Sequence, residues 1–367
     1  MDKSECAIFY DSEAYSINVN KLMGRNSAGA SFLTGYFRYG NPETFWVYAR
    51  AKTDAQSFAD SAVKVRSDAK VRFIPYENFS ALEQVKTIFY PSPDIIKLAW
   101  QRHQVGDRAW SICGVTHTTA SDTIMDSIGS YYTSPLRNWD AVICTSEAVK
   151  KNVENNLEAK KEYLSSVLGL KKFERPVLPV IPLGINCNEF DYSNDERLVS
   201  RSFFGADENT IVVLYVGRLS FHAKANPISM YKAIEEAAKK NPNLTIKLIE
   251  CGWFSNDWIK ETFEEAKSKI FKNVECIHVN GRDKLNRDKA WSSADIFCSF
   301  SDNIQETFGI SPIEAMASGL PVIVSDWNGY KESIIDGEVG FKIPTIMPDK
   351  NIATKLILRF GVGADNY

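Results

Sequence analysis

Short runs of apolar, β-branched and aromatic residues recur along this chain, and a longer amphipathic stretch follows most of them. Residues 6–10 (CAIFY), 44–49 (TFWVYA), 70–74, 87–90, 110–116, 140–145 and 176–181 (PVLPVI) read as strands. Helix-like segments such as 146–168 separate them. Residues 186–209 are polar, turn-rich and without a clear period, so they read as a linker. The alternation then restarts, with strands at 210–217, 244–250, 274–279, 294–300 and 321–325, and helices around 227–240, 256–270, 284–293 and from Ser311. A strand-helix alternation of this kind specifies parallel sheets covered by helices on both faces. The expected fold is therefore α/β: two Rossmann-like doubly wound domains facing a cleft, over residues 1–190 and 191–367. Ligands of such sheets bind beyond the carboxyl ends of the strands.

At 367 residues the chain exceeds an ordinary single domain, which agrees with two. Lys+Arg 43 against Asp+Glu 46 gives a formal charge of -3, without the basic excess of a nucleic-acid binder. The 7 cysteines are scattered and never spaced as C-x-x-C, which points to reduced thiols in a cytoplasmic protein. No signal peptide or membrane-spanning run is visible.

The densest chemistry lies in ETFGISPIEAMASGLPVI, residues 306–323, where Glu306 and Glu314 stand eight positions apart. Ser311-Pro312-Ile313-Glu314 has the form of a helix start, with Ser311 as N-cap, Pro312 at the first position and Glu314 in a capping box. Glu306 lacks that explanation. It precedes Thr307-Phe308-Gly309-Ile310, a loop entering a helix N-terminus, where free N–H groups favour an anion. Its plain alternative is a solvated loop charge. An anion site flanked by carboxylates suits a nucleotide sugar, whose hydroxyls donate to carboxylates.

This stretch resembles the Glu-x7-Glu signature of retaining glycosyltransferases of family 4, E-x-F-G-x-x-x-x-E-A-x-A-x-G-x-P-V-I, whose fold is GT-B. The resemblance implies that Glu306 contacts the transferred sugar and Glu314 the ribose, while the backbone of Thr307, Phe308, Gly309 and Ile310 meets phosphate and sugar. VLYVGRLSFHAKANP (213–227) resembles the family's strand-G-R-L…K segment, which makes Arg218 and Lys224 the cations that hold the donor diphosphate. Ala225 replaces the glycine usual after that lysine. Two surface cations near a helix start are the plain alternative. No metal ligand or other cofactor is expected: Asp-x-Asp is absent, and a guanidinium plus an ammonium can stabilise a departing diphosphate. PVIPLGINCNEF (180–190) resembles the interdomain segment, with Asn186 where Asp is common, and Ser146 reads as an N-cap.

In the N-terminal half, His117 ends a predicted strand, where the family often places a histidine near the sugar; a buried or capping histidine is the alternative. GRNSAGASFL (24–33) follows the first strand, opens a helix and resembles the family's small-residue turn that lets backbone approach the phosphates or acceptor, with Gly29 as its best single residue; a plain strand-helix turn is the alternative. DWNGYKE (326–332) stands where Gly-Gly-x-x-E is frequent and looks like a subgroup mark. Lysines 150, 151, 160, 161, 171 and 172 would allow weak peripheral membrane contact, although interleaved glutamates favour a solvated helix face. GT-B chains usually end in helices that cross back to the first domain, and that element is expected to be missing here.

The resemblance thus implies a metal-independent retaining glycosyltransferase, with a nucleoside diphosphate sugar (UDP favoured over GDP) as donor. The acceptor hydroxyl would lie on a glycan, lipid-linked or protein-linked partner. A nucleotide-sugar-binding pseudo-transferase, a partner subunit of a glycosylation complex and a nucleotide-sugar epimerase are the alternatives.

Overall fold

A computed structural model describes residues 5–15, 24–119, 121–303 and 306–346. The chain divides into two compact units, Met1–Ile185 and Asn186–Tyr367.

The first unit is built on β1 (Ala7–Phe9), β2 (Phe45–Ala49), β3 (Val71–Pro75), β4 (Thr87–Tyr90), β5 (Ser111–Val115) and β6 (Ala141–Ile143). These form a parallel sheet in the order β3-β2-β1-β4-β5-β6. The second unit repeats the plan with β7 (Thr210–Val216), β8 (Thr245–Gly252), β9 (Val274–Asn280), β10 (Ile296–Ser299), β11 (Val322–Ser325) and β12 (Gly340–Ile343). Its order is β12-β11-β10-β7-β8-β9, again all parallel. Both are doubly wound sheets whose strand order reverses beside the first strand of the unit.

The sequence dictates which strands lie inside. FWVYA in β2 is buried at every residue, and TIVVLYV in β7 nearly so, because helices cover both faces of a central parallel strand. Edge strands alternate instead: VECIHVN in β9 buries Val274 and Val279 but exposes Glu275 and His278. Each sheet consequently has a core layer on either face, one around Tyr48, Ile88 and Ile112 and one around Val47, Phe37 and Phe58 in the first unit. Each fully buried Leu, Ile or Phe contributes roughly 1.5–3 kcal/mol, whereas exposed pairs such as Lys161–Glu158 contribute about 0–1 kcal/mol. The apolar layers therefore hold the sheets. One buried ion pair is an exception in kind. Arg102 and Asp140, both fully buried, pair through both guanidinium ends, and Asp140 also accepts the backbone N–H of Ile112 at 2.9 Å and of Arg137 at 2.8 Å.

Two expectations need correction. PVLPVI is not a strand of the sheet; it makes isolated bridges to Ala141 and Cys144. Pro176 and Pro179 have no N–H to donate, so only Val177 and Ile181 donate to the edge. The expected linker contains a helix, Asn194–Phe203, closed by a capping box between Ser193 and Glu196. Its apolar side chains Leu198, Val199 and Phe203 are exposed. Polar contacts hold it: Arg201 pairs with Asp295 at 2.8 Å and donates to the carbonyl of Thr210 at 2.7 Å, and Ser292 donates to Ser200 at 2.7 Å. Arginines dock this helix while its apolar residues face outward, so the apolar pattern does not mark its packed side. Ser-x-x-Glu was the legible signal.

Candidate functional site

In the second unit the strand order reverses between β7 and β10, which lie side by side. A doubly wound sheet opens at that point, beyond the carboxyl ends of its strands. The chain leaving β7 carries Arg218 and Lys224; the chain leaving β10 carries Ser301 and Glu306. These two segments, 82 residues apart in sequence, meet through an ion pair between Lys224 Nζ and Glu306 Oε2 at 2.7 Å. Glu306 keeps 10% of its side chain exposed and Lys224 34%, so the cation is the more reachable partner. Ser301 Oγ lies 3.4 Å from Glu306 Oε2 and 3.3 Å from the carbonyl of Lys224, and its proton can serve either acceptor.

Glu306 is felt well beyond its partner. Burial pushes the Tyr330 and Tyr215 hydroxyls well above the ordinary tyrosine value, and the charge of Glu306 adds to both shifts. Burial lowers Arg218, against the opposing pull of Tyr215 and Glu306. Two cations, one carboxylate and two buried phenols thus share one neighbourhood. Such a setting can neutralise a diphosphate while a carboxylate accepts from hydroxyls.

Below Glu306, Thr307 and Phe308 are buried and lead into the helix Ile310–Ala317. The expected cap at Ser311 is corrected: Gly309 is the N-cap, in the left-handed region with φ 81°. A Cβ on Gly309 would fall 1.9 Å from Cε1 of Tyr330, so only glycine fits. Glu314 is consequently the fifth helical residue rather than the third, too far along for a capping box. It is buried in that helix at 9% exposure. The helix begins with backbone N–H groups of Ile310 and Ser311 that have no carbonyl of their own helix to meet, while Pro312 has none to offer.

Other features lie nearby. Glu250, fully buried on β8, accepts from the Tyr231 hydroxyl and from Lys267 Nζ at 3.1 Å. With Tyr215, Asn226 and Met230 it lines a cavity beside the segment that follows Lys224. The residues that sequence reasoning missed are Ser301, Asn303, Trp327 and Tyr330. The stretch DWNGY was visible as a variant, but nothing in it revealed that its aromatic rings back the Glu306 loop.

In the first unit His117 follows the carboxyl end of β5, as the strand reading expects. Burial, with a smaller push from the Arg25 charge, lowers its pKa to about 4, so it is neutral at physiological pH. The 24–33 segment opens the helix Gly24–Tyr39 as expected, but the turn is corrected: Gly29 lies inside that helix. Gly29 is buried in the second turn of that helix, and a Cβ there would meet the carbonyl oxygen of Ala14 at 2.4 Å. Its bareness thus serves helix packing. Ser146 does cap the helix Glu147–Leu168, accepting from the N–H of Val149 at 3.2 Å. Near the end of that helix Tyr163, Val167 and Leu168 are exposed. Among the described residues no helix is long and apolar enough to cross a membrane.

Known proteins resemble this chain in sequence and in fold. Residues 197–358 match the profile described as glycosyl transferases group 1. A glycosyltransferase of Methanocaldococcus jannaschii is 27% identical over 285 residues, 74% of this chain and 68% of that protein. The phosphatidyl-myo-inositol mannosyltransferase of Mycobacterium tuberculosis is 38% identical over 142 residues, 38% of this chain but only 35% of that enzyme. The chain thus spans about two thirds of the archaeal relative and about a third of the mycobacterial one. Among solved structures, Anabaena HepE in complex with UDP superposes with a TM-score of 0.61 at 14% identity, covering 96% of this chain and 89% of that one. Sucrose-phosphate synthase from Thermosynechococcus elongatus gives 0.56 at 16%, covering 98% and 90%. The chain therefore has the two parallel sheets of the GT-B fold, and within its second unit residues 197–358 are similar to the glycosyl transferases group 1 profile.

Proposed function

We propose that this protein is a retaining, metal-independent glycosyltransferase that moves a sugar from a nucleoside diphosphate sugar to an acceptor hydroxyl. The observation that carries the reading is the Lys224–Glu306 pair, set with Arg218 beyond the carboxyl ends of β7 and β10. UDP is favoured as the nucleotide; HepE, which shares the fold, is known in complex with UDP and with UDP-glucose. The acceptor belongs to a glycan, lipid-linked or protein-linked partner, in keeping with relatives named for inositol-containing acceptors.

In this reading Arg218 and Lys224 take up the charge of the departing diphosphate, and Glu306 accepts from hydroxyls of the transferred sugar. Glu314 holds the ribose, and the backbone from Thr307 to Ile310 meets phosphate and sugar. The anomeric carbon loses its bond to the phosphate oxygen and gains one to the acceptor oxygen. The acceptor's proton passes to the leaving phosphate oxygen, so no separate base is required. His117, neutral, is assigned to orient the sugar or the acceptor hydroxyl.

A thermal-shift screen of UDP, GDP and ADP with their sugars tests the donor assignment. A ligand at 100 times its Kd stabilises the native state by about 2.7 kcal/mol, so UDP compounds should raise the melting midpoint measurably. No shift with any nucleotide would contradict the proposal. Activity should survive EDTA; loss that added divalent metal restores would overturn metal independence.

A further inference from the structure

We propose that Asn303 is a positioning residue that sets the Lys224–Glu306 pair. Lys224 and Glu306 leave different strands on separate loops, and something must fix those loops to each other. Asn303, 8% exposed, does so from the middle. Its side-chain Nδ2 donates to the carbonyl of His222 at 2.6 Å, two residues before Lys224. Its own carbonyl accepts the N–H of Glu306 at 3.1 Å, the indole N–H of Trp327 at 3.1 Å and Nδ2 of Asn328 at 3.4 Å. One residue thus ties together the lysine loop, the glutamate loop and the turn after β11.

The neighbours reinforce that tie. The N–H of Asp302 donates to the carbonyl of Lys224 at 3.4 Å, and Ser325 Oγ donates to the carbonyl of Ser301. Asn328 has a left-handed backbone (φ 42°), which asparagine tolerates better than most side chains, and that conformation accompanies its bond to Asn303. DWNGY therefore acts as the back wall of this junction. The bond from the Asn303 side chain to the His222 carbonyl is a donor bond. An isosteric carboxylate at 303 would keep the volume, lose the donor and face the His222 carbonyl with negative charge.

The test is the reactivity of Lys224 in the full chain. Acetic anhydride labelling at fixed pH is quantified by peptide mass spectrometry, with exposed Lys171 as internal reference. Losing one hydrogen bond that holds the pair should accelerate Lys224 labelling about fivefold in both Asn303→Ala and Asn303→Asp. Trp327→Phe, which removes one of three donors to the Asn303 carbonyl, should give a smaller rise of about twofold. In the Glu306→Gln background neither Asn303 substitution should add anything. Unchanged labelling, a wild-type rate in Asn303→Asp, or an equal rise in the Glu306→Gln background would overturn the proposal; the isostere would show a mere packing role. Its bearing on catalysis rests on the transferase reading. There, kcat for UDP-sugar turnover should fall at least about tenfold, with the affinity for free UDP held within about threefold. If labelling responds while turnover persists, Asn303 does not position the reacting groups. If wild-type protein binds no UDP, the transferase reading fails, and labelling still decides whether Asn303 sets the pair.

Discussion

Arg218 and His117 show how much burial changes what a charged side chain can offer. Half-buried Arg218 has already lost part of its hydration, so a diphosphate that meets it gains a partner with less water to displace. Arg218→Ala should weaken UDP binding by about 10–100-fold, the range expected for a hydrogen bond between charged groups. Isothermal titration calorimetry reads this directly, and an unaltered dissociation constant would remove Arg218 from the site. For His117 the sign follows from its low native pKa of about 4 against 6.5 unfolded. Between those values the unfolded chain binds a proton that the native one refuses, so His117 lowers stability as pH falls through that window. Urea unfolding from pH 7 to pH 4 should show a flatter stability profile for His117→Gln than for wild type. Parallel profiles would mean the imidazole is not buried as described.

Among elements, the helix Ile310–Ala317 and its entrance depend on glycine. Gly309→Ala would place a methyl group into the Tyr330 ring at an unfavourable φ, so it should cost about 1–3 kcal/mol in stability of the second unit. Denaturant melts of the full chain check it; a loss below 0.5 kcal/mol, roughly what an ordinary surface change costs, would contradict the packing. Asp140→Ala should likewise cost about 3–5 kcal/mol in the first unit, because it strands Arg102 without a counter-charge. Chemical unfolding followed by circular dichroism would reveal that loss. These elements also mark where sequence reading succeeds. TFWVYA and TIVVLYV are legible because strands buried on both faces must be continuously apolar. Asn194–Phe203 is not, because arginines rather than leucines dock it. Ser311-Pro312 imitates a helix start convincingly, and only the Tyr330 ring, distant in sequence, decides that the helix begins two residues earlier.

At the scale of the molecule, two copies of one doubly wound plan account for the alternation of apolar runs along the chain. Local patterns carried most of that plan. The site was less legible: Arg218, Lys224 and Glu306 rested on a family resemblance, since no spacing rule joins residues 218 and 306. The Asn303 junction was invisible because its bonds to His222, Trp327 and Asn328 are long-range and one of those partners is a backbone carbonyl. Topology explains why those residues meet, since β7 and β10 are neighbours where the strand order reverses.

The most direct test of the account is UDP release from a panel of UDP-sugars by the full chain and by its Glu306→Gln variant, with UDP affinity measured in parallel. The account predicts release by the wild type, a fall of at least about a hundredfold in the variant, and UDP binding retained in both. Equal release by the two proteins, or UDP binding by neither, would contradict it.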